Sequence, residues 1–283
     1  AYVAMIGDGV NDVLSLKRSN LAVAMASGSQ ATRGVADIVL TEDSFAALAP
    51  AVEEGQRIVN GMFDIVSLFL ARIATMGLVI VSSLVIGIFP IALRNASAIT
   101  LLSVGIPAAL LALWAQPGKM QRDSLGRMVV RFVLPAALLS SLAALAVFYG
   151  SIWLDISGVM STSTVLGPIT QEALIAAAVP AAQSALTAFL VFVGLGLIVF
   201  VEPPTDWLAV VQARSPDRRP TYLAIALGVA FVVMTLVPVL GDLFALTPLA
   251  PLKWLLVLGT FAAWFLVLRE TWRRRLIERF VGS

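Results

Sequence analysis

Six long apolar runs dominate the chain after residue 64. A helix needs about 20 predominantly apolar residues to cross the hydrocarbon of a bilayer, with a range of about 17–25. Five runs meet that length; the sixth begins beside Lys253, whose side chain can reach outward from the end of a span. The pattern predicts six transmembrane helices, over Ile65–Phe89, Ala96–Ala115, Phe132–Trp153, Ala173–Val201, Thr221–Leu240 and Leu252–Leu268.

Shorter apolar runs alternate with turn and helix signals in residues 1–43. Tyr2–Ile6, Leu21–Met25 and Asp37–Leu40 are typical of strands, with helices expected after Asp12 and over 30–35. Such alternation favours a parallel sheet. Three strands in about 40 residues bury no core of their own. The predicted fold class is therefore a mainly α membrane protein, with six transmembrane helices preceded by a partial α/β segment.

A long helix is expected to join the two parts. It begins at Ser44 and passes Gly61 into the first span, and Pro50 either kinks it or shifts its start. The alternative is two helices broken at Gly61. The domain boundaries follow: an α/β segment over 1–43, a stalk helix over 44–62, a six-helix membrane domain over 63–268, and a basic amphipathic tail over 269–283 that suits an anionic lipid surface.

Composition supports a membrane protein: 59% of the residues are hydrophobic and 13% are charged, against roughly 25% charged in soluble domains. The chain has no cysteine and no histidine, which excludes disulfides, thiolate chemistry and histidine metal ligands. Its chemistry must use carboxylates, lysine, hydroxyls and backbone. The basic residues lie between apolar runs and not on one soluble face, which argues against a nucleic-acid partner.

Charge also predicts the orientation of the spans. Residues 1–64 carry four basic and eight acidic side chains, and the remainder carries fifteen and nine. Six spans place twelve basic residues in the loops and tail on the side of residues 1–64, and only Arg94 and Lys253 on the other side. Because basic loops stay in the cytoplasm, we expect both termini there and an integral protein of a bacterial plasma membrane.

The strongest chemical signal is the hexapeptide Gly7-Asp8-Gly9-Val10-Asn11-Asp12. It puts two carboxylates on a turn at the carboxyl end of a predicted strand, where parallel sheets bind ligands. The glycines, Gly7 and Gly9, allow a tight turn and a close approach to a ligand. Carboxylate and amide oxygens suit Mg²⁺ with a phosphate co-ligand. The alternative is an ordinary Gly/Asp-rich turn that caps a helix.

Met5–Lys17 resembles the hinge motif of P-type cation-transporting ATPases. Ala22–Ser29 and Asp37–Leu40 resemble the end of that family's phosphorylation domain, a haloacid-dehalogenase-like fold, and Ala51–Arg57 resembles the stalk before its fifth membrane helix. The resemblance implies an ATP-hydrolysing translocase with an aspartyl-phosphate intermediate, using ATP and Mg²⁺. It assigns Mg²⁺ binding to Asp8 and Asp12, phosphate orientation to Asn11 and Asp12, and a tethering charge to Lys17.

The family's nucleophile motif, Asp-Lys-Thr-Gly, is absent from these 283 residues. We therefore expect a C-terminal portion whose remaining two-thirds lies in the same polypeptide, and no ATP hydrolysis by this stretch alone. Ile6 stands where many relatives have threonine. The alternative is a non-catalytic membrane protein that uses the hinge segment as a docking or regulatory module.

The transported ion is expected to pass the second span, which carries Thr100, Ser103 and a break at Gly105-Ile106-Pro107. A break frees carbonyls that can coordinate a cation; the alternative is a proline kink whose hydroxyls bond their own helix. No acid lies at the centre of any predicted span. Among cations we expect calcium. Arg72, inside the first span, is interpreted as reaching out to the cytoplasmic edge.

Overall fold

The computed structural model of the chain describes residues 2–117, 125–162, 171–211 and 214–274. It confirms the predicted fold class: a small parallel sheet comes first, and six helices long and apolar enough to cross a membrane follow within the described ranges. Some of the basic loop residues that predict the orientation, and the end of the predicted tail over 269–283, fall outside the described residues. Contacts divide the described chain into two units, one holding residues 2–60 and the other the membrane helices.

The sheet of the first unit has three parallel strands in the order β1-β2-β3: β1 is Ala4–Gly7, β2 is Leu21–Met25 and β3 is Ile38–Leu40. Met5 pairs with Ala22, and Ala24 pairs with Val39. The middle strand is the most buried, because neighbours cover both of its edges. All three predicted strands are present, with β1 shifted toward the hexapeptide.

Short helices connect these strands. A 3₁₀ turn, Val10–Asp12, leads directly into α1, Val13–Arg18, and α2 is Gln30–Arg33. Leu16 of α1 is almost fully buried and anchors that helix to the sheet. The side chain of Ser29 accepts a hydrogen bond from the backbone N–H of Thr32 and so caps α2.

A single helix, α3, runs over Leu48–Ile86 after a 3₁₀ turn at Phe45–Ala47. The continuous helix is therefore observed, and the alternative of a break at Gly61 is wrong. Pro50 lies in the first turn of α3, where a missing N–H removes no intrahelical bond. Its effect is thus to shift the helix start beyond Ser44, whose side chain instead caps the 3₁₀ turn.

The remaining membrane helices are broken or lengthened relative to the predictions. Two five-residue π-helical turns interrupt them, at Leu101–Gly105 and Val129–Val133. The α-helical parts are α4 (Leu93–Thr100), α5 (Ile106–Trp114), α6 (Leu125–Met128), α7 (Leu134–Thr162), α8 (Gln171–Val201), α9 (Arg219–Leu236), α10 (Pro238–Leu243) and α11 (Pro251–Arg273).

Helix α8 lies at the centre of the membrane unit. In its most apolar stretch 83% of the residues are buried, against 22–56% in the other five spans. Its sequence alternates alanine and glycine with Phe189 and Phe200, which are fully buried. Small residues allow neighbouring helices to approach closely, and the large ones fill the space between them. Trp272 of α11 packs in this way between Phe132 and Phe200.

A charged residue near one span end, Lys253, does not lie as predicted. Its partner, Asp155, lies on α7, which continues past the predicted end of the third span to Thr162. Lys253 was expected to reach outward, but only 6% of its side chain is exposed, and its Nζ donates to Asp155 Oδ2 at 2.6 Å. A buried ammonium group needs a counter-charge, and the extra turns of α7 supply one.

Candidate functional site

Asp8 follows the last residue of β1 at the carboxyl end of the sheet. Its side chain is exposed, and no hydrogen bond or ion pair engages its carboxylate within the described part of the chain. Its backbone, by contrast, is held firmly: the Asp8 carbonyl accepts from the N–H of Ser29 at 2.8 Å and from the hydroxyl of Thr32 at 3.3 Å. The carboxylate is thus fixed in place by its backbone and available to a ligand.

The loop after β2 approaches Asp8 because of Gly28. A Cβ on Gly28 would lie 3.0 Å from the carbonyl oxygens of Asp8 and Met25, so a larger residue would push the two loops apart. Thr32 is completely buried beneath them. The sequence analysis included Gly28 in the stretch that resembles the end of the phosphorylation domain, and it gave Thr32 no role. The signal available was the Ser-x-x-Thr spacing of an N-terminal helix cap.

Asp12 closes the hexapeptide onto itself. Its Oδ2 accepts from the backbone N–H of Gly9 at 3.1 Å, which is the capping arrangement of the alternative interpretation. A Cβ on Gly7 would lie 2.6 Å from the Cβ of Asp12, so Gly7 is required for this close turn. A Cβ on Gly9 would meet Asp12 Oδ2 at 3.5 Å and the backbone N of Asn11 at 4.0 Å, both ordinary contact distances. The structure therefore shows a steric need for glycine at position 7 but not at position 9.

Asn11 and Lys17 are exposed. Asn11 lies within the 3₁₀ turn between the two carboxylates, and Lys17 lies in the last turn of α1. Within the described residues, neither side chain has a hydrogen bond or ion pair. The structure thus brings Asp8, Asn11 and Asp12 together on one turn, and it shows no contact that ties Lys17 to that turn.

The residues of this turn fit a magnesium ion that shares its coordination with a phosphate. Within the described residues, no group of three or more histidine, cysteine or acidic side chains could hold a metal ion by itself. Mg²⁺ in phosphoryl-transfer sites, however, uses one or two carboxylates and takes its other oxygens from water and phosphate. The free carboxylate of Asp8 and the second oxygen of Asp12 would be those ligands.

Asp43 supports the same loops from outside. Its carboxylate accepts from the backbone N–H of Ser27 at 3.0 and 3.2 Å. This bond lowers the pKa of Asp43 below its usual value, with a smaller contribution from Arg33. The backbone of Asp43 has φ = 51°, a left-handed conformation that aspartate and asparagine tolerate better than most residues. The sequence analysis gave this residue no role.

In the membrane unit, Arg72 lies beside a small cavity of about 30 Å³ among α3, the π turn and α8. Its Nη2 donates to the hydroxyl of Thr100 at 2.6 Å. Thr100 ends α4, eight positions into a span over Leu93–Trp114. Arg72 is thus bonded to a hydroxyl of a neighbouring span, a partner that the sequence did not predict.

Of the four predicted transport-path residues, only Ser103 lines this cavity; Thr100 contacts it through Arg72, and Gly105 and Pro107 do not line it. The hydroxyls of Thr100 and Ser103 donate to the carbonyls of Ala96 and Ile99 on their own helix. Ser103 also packs directly against Gly194, where no side chain could be accommodated. The break in this span is thus a π turn followed by a proline, and its hydroxyls bond their own helix.

The sequence of this six-span membrane protein with a parallel α/β segment is similar to known proteins over part of its length. No family model matches the chain. It is 37% identical over 147 residues to the calcium-transporting ATPase CtpE of Mycolicibacterium smegmatis, covering 48% of this chain and 18% of that relative. It is 43% identical over 89 residues to the sodium/potassium exporting P-type ATPase cta3 of Schizosaccharomyces pombe, covering 31% and 8% respectively.

A third relative is the probable cation-transporting ATPase F of Mycobacterium tuberculosis, 39% identical over 87 residues, with coverage of 30% of this chain and 10% of the relative. The chain is therefore homologous to P-type cation-transporting ATPases, and the predicted resemblance is confirmed. The chain spans less than a fifth of the length of the curated relatives it matches.

Proposed function

We propose that this chain is the C-terminal part of an ATP-driven cation pump of the P-type class. It would contribute the membrane helices and the Mg²⁺-binding edge of the phosphorylation domain. The observation that carries the proposal is the arrangement at Asp8: a backbone held from two sides and an exposed carboxylate with no partner in the described residues. A carboxylate that only capped a helix or held a turn would have at least one oxygen engaged, as Oδ2 of Asp12 and both oxygens of Asp43 are.

The residues of the turn would have different roles in phosphoryl transfer. Asp8 and Asp12 would hold Mg²⁺, which when bound neutralises charge on the transferred phosphoryl group. The amide of Asn11 would orient a phosphate oxygen by hydrogen bonding, and Lys17 would add positive charge near the phosphate. Gly7 lets Asp12 come close enough to share the site. The aspartate that is phosphorylated is not in these 283 residues, so this stretch alone would neither become phosphorylated nor hydrolyse ATP.

Calcium is the proposed cargo, supported by the similarity to the calcium-transporting ATPase CtpE of two mycobacterial species. Calcium takes six to eight oxygen ligands, and the described lining of the Arg72 cavity offers hydroxyls and carbonyls but no carboxylate. Ligands from other parts of the pump would therefore complete the transport site. The excess of arginine on one side supports placing residues 1–64 and the C-terminus in the bacterial cytoplasm.

The test is ATP-dependent ⁴⁵Ca²⁺ uptake by inside-out vesicles that contain the natural full-length pump. We expect Asp8→Asn to reduce uptake and phosphoenzyme turnover by at least about 100-fold, because one ligand of the catalytic ion is lost. Glu42→Gln is the matched control: it removes one exposed carboxylate from the same unit and should leave uptake unchanged. Wild-type uptake by Asp8→Asn would remove the hinge from catalysis and favour a docking role for this segment.

A further inference from the structure

A short segment after α9 lies at the end of the membrane unit where α3 ends and α4 begins. It comprises residues 238–247, which are α10 and the four residues after it, and we call it the strap. Arg94 Nη1, at the start of α4, donates to the carbonyl of Asp242 at 3.0 Å, and Asn95 Nδ2 donates to the carbonyl of Ala245 at 3.2 Å. The strap is thus bonded directly to the span that contains the first π turn.

The strap is also bonded to α8, the most buried of the six spans. The backbone N–H of Thr247 donates to Ser184 Oγ at 2.8 Å, and the two hydroxyl oxygens lie 3.0 Å apart. Ser184 and the strap residue Leu246 are both buried, so this part of the strap is packed inside the membrane unit. The strap therefore connects the start of α4 to the helix at the centre of that unit.

Ala245, whose carbonyl accepts from Asn95, has a left-handed backbone with φ = 52°. It follows the end of α10, where the N–H of Leu246 donates to the carbonyl of Gly241 at 2.8 Å. That bond defines a Schellman motif, whose left-handed residue is usually glycine. Alanine is disfavoured there, because its Cβ lies too close to the following carbonyl oxygen. The closed strap therefore holds strain in the residue that binds the broken span.

Asn95 is satisfied on one side only. The residue is completely buried, and its Oδ1 has no hydrogen-bond partner among the described residues. An unpaired buried oxygen makes this arrangement less favourable, because the oxygen has lost water and gained no donor. A permanent brace would be more stable with glycine at position 245 and with no unpaired oxygen at position 95. A contact that is made but held under strain is expected where an element must open as well as close.

The span that the strap holds is itself jointed. Helix α4 has eight residues and ends at the π turn Leu101–Gly105, and Pro107 follows in the second position of α5. Proline removes a backbone donor from the helix, and π turns occur mostly at functional sites. Helix α4 can therefore pivot at the π turn as a short rigid piece. The strap binds the end of α4 that is farthest from this pivot, where the movement would be largest.

We propose that the strap is a latch of the transport domain. When it is closed, as in this structure, it holds α4 against α8. When it opens, Asn95 leaves its carbonyl acceptor, Ala245 leaves the left-handed conformation, and α4 pivots at the π turn so that the transported ion can pass at this end of the span. The role in transport rests on the proposed function, whereas the opening of the strap can be measured without transport.

Hydrogen exchange in the purified full-length protein tests the opening. The amide of Thr247 is the probe, because its N–H is bonded to Ser184 only while the strap is closed. Ala245→Gly removes strain from the closed strap and should slow this exchange by about five- to tenfold. Ala250→Gly, in the same loop but at an ordinary φ of −61°, is the control and should leave the exchange at Thr247 unchanged.

Changes on α4 should act in the opposite direction. Asn95→Leu removes the bond to the Ala245 carbonyl and should speed exchange at Thr247. Arg94→Gln, at an exposed position, should do so to a smaller extent without disturbing buried packing. Ser97→Ala is the control, because the exposed hydroxyl of Ser97 bonds only its own helix. Equal exchange at Thr247 in wild type, Ala245→Gly and Arg94→Gln would overturn the latch.

Transport by the same variants in vesicles tests what the latch does. We expect Ala245→Gly to raise the melting temperature and yet to lower ATP-dependent ⁴⁵Ca²⁺ uptake by about fivefold, because a tighter latch opens less often. Arg94→Gln should still hydrolyse ATP but move fewer calcium ions per ATP, because an unlatched span lets ions return. A permanent brace predicts the reverse for Ala245→Gly: a higher melting temperature with equal or higher uptake. That result would overturn the latch and leave the proposed pump intact. Absence of uptake by wild type would refute the pump and the latch's part in transport, and the exchange at Thr247 would still decide whether the strap opens.

Discussion

The loop after β1 and the membrane helices place their charged side chains in opposite environments. Asp8 and Lys17 are exposed, and no described side chain pairs with them. In the membrane unit, Lys253 is buried against Asp155, and Arg72 is bonded to Thr100. Free charge costs little in water and must be compensated in a buried site. Asp8 and Lys17 are thus available to a ligand, whereas the charges of Lys253 and Arg72 between the spans are needed for packing and stability.

The largest effect is expected from breaking the Lys253–Asp155 pair. Lys253→Met leaves the Asp155 carboxylate without its partner in a site where about one third of that side chain is exposed. We expect a loss of about 2–4 kcal/mol in the free energy of unfolding, near the lower end for buried pairs because of this exposure. Thermal unfolding of the purified protein in detergent measures it.

The comparison between the two units supplies the control. Lys17→Met removes an exposed lysine without a described partner, so it should leave the melting temperature unchanged while lowering phosphoenzyme turnover. The double change Lys253→Met with Asp155→Leu should recover most of the lost stability, because it removes both charges. If Lys17→Met destabilises the protein as much as Lys253→Met does, the contrast between the units fails.

A smaller effect is expected from the glycines of the hexapeptide. Gly7→Ala would put a Cβ within 2.6 Å of the Asp12 Cβ, so Asp12 must move. We expect the first unit to lose about 1–3 kcal/mol, as overpacked sites do. Gly9→Ala is the matched comparison, because its Cβ has room and φ is −93°. Hydrogen exchange at the amides of β1 and β2 reads the stability of this unit directly; equal protection in the two variants would contradict the steric argument.

The sequence predicted the features that depend on period and composition, and missed those that depend on tertiary neighbours. Apolar runs located all six spans, and alternation located all three strands, because each pattern reports burial of the element itself. The partner of Lys253 could not be predicted, since Asp155 is 98 residues away in the chain and lies on a helix that continues past its apolar run. The π turns and the Arg72–Thr100 bond are likewise outcomes of packing between helices.

At the hexapeptide, too, the sequence did not predict contacts with residues that are distant in the chain. Gly7, Asp8 and Asp12 were found because the motif is local. Thr32 and Asp43 were missed because they act across the fold, on the Asp8 carbonyl and the Ser27 amide. A residue that positions a loop leaves no local pattern beyond its own turn, so only the folded structure connects it to the site.

Substitution of Glu202, just after the end of α8, is expected to change the melting temperature moderately and in a way that depends on pH. Burial raises the pKa of its carboxyl, Asp217 raises it further, and a hydrogen bond from Ser215 opposes the shift. A raised acid pKa means that the folded state is most favoured below the unfolded value of about 4.3, and loses stability as pH rises through both pKa values.

Glu202→Gln removes this loss. We expect its melting temperature to exceed that of wild type by roughly 1–3 °C at pH 7 and to match it near pH 4. Asp206→Asn, at a carboxylate that is 82% exposed, should show no such pH-dependent gain. A lower melting temperature for Glu202→Gln at pH 7 would mean that the charged form of Glu202 stabilises the fold through contacts stronger than its burial penalty.

The smallest expected effect is on hydrogen exchange at Ser27, and it compares two exposed carboxylates, one that is hydrogen-bonded to the backbone and one that is not. Asp43 and Glu42 are adjacent and both exposed, but only Asp43 accepts from the Ser27 amide, and that bond lowers its pKa. Because the folded pKa of Asp43 is depressed, its contribution to the stability of the fold is present above its unfolded pKa of about 3.9. That contribution disappears as pH falls through the lower, folded pKa.

Asp43→Asn keeps a side chain that tolerates the left-handed backbone but removes the charge. We therefore expect faster hydrogen exchange at Ser27 in Asp43→Asn than in wild type at pH 7, a difference that disappears as pH falls through the folded pKa of Asp43, and wild-type exchange in Glu42→Gln throughout. Equal exchange at Ser27 in all three proteins at pH 7 would show that the loop beside Asp8 is held by Gly28 and Thr32 alone.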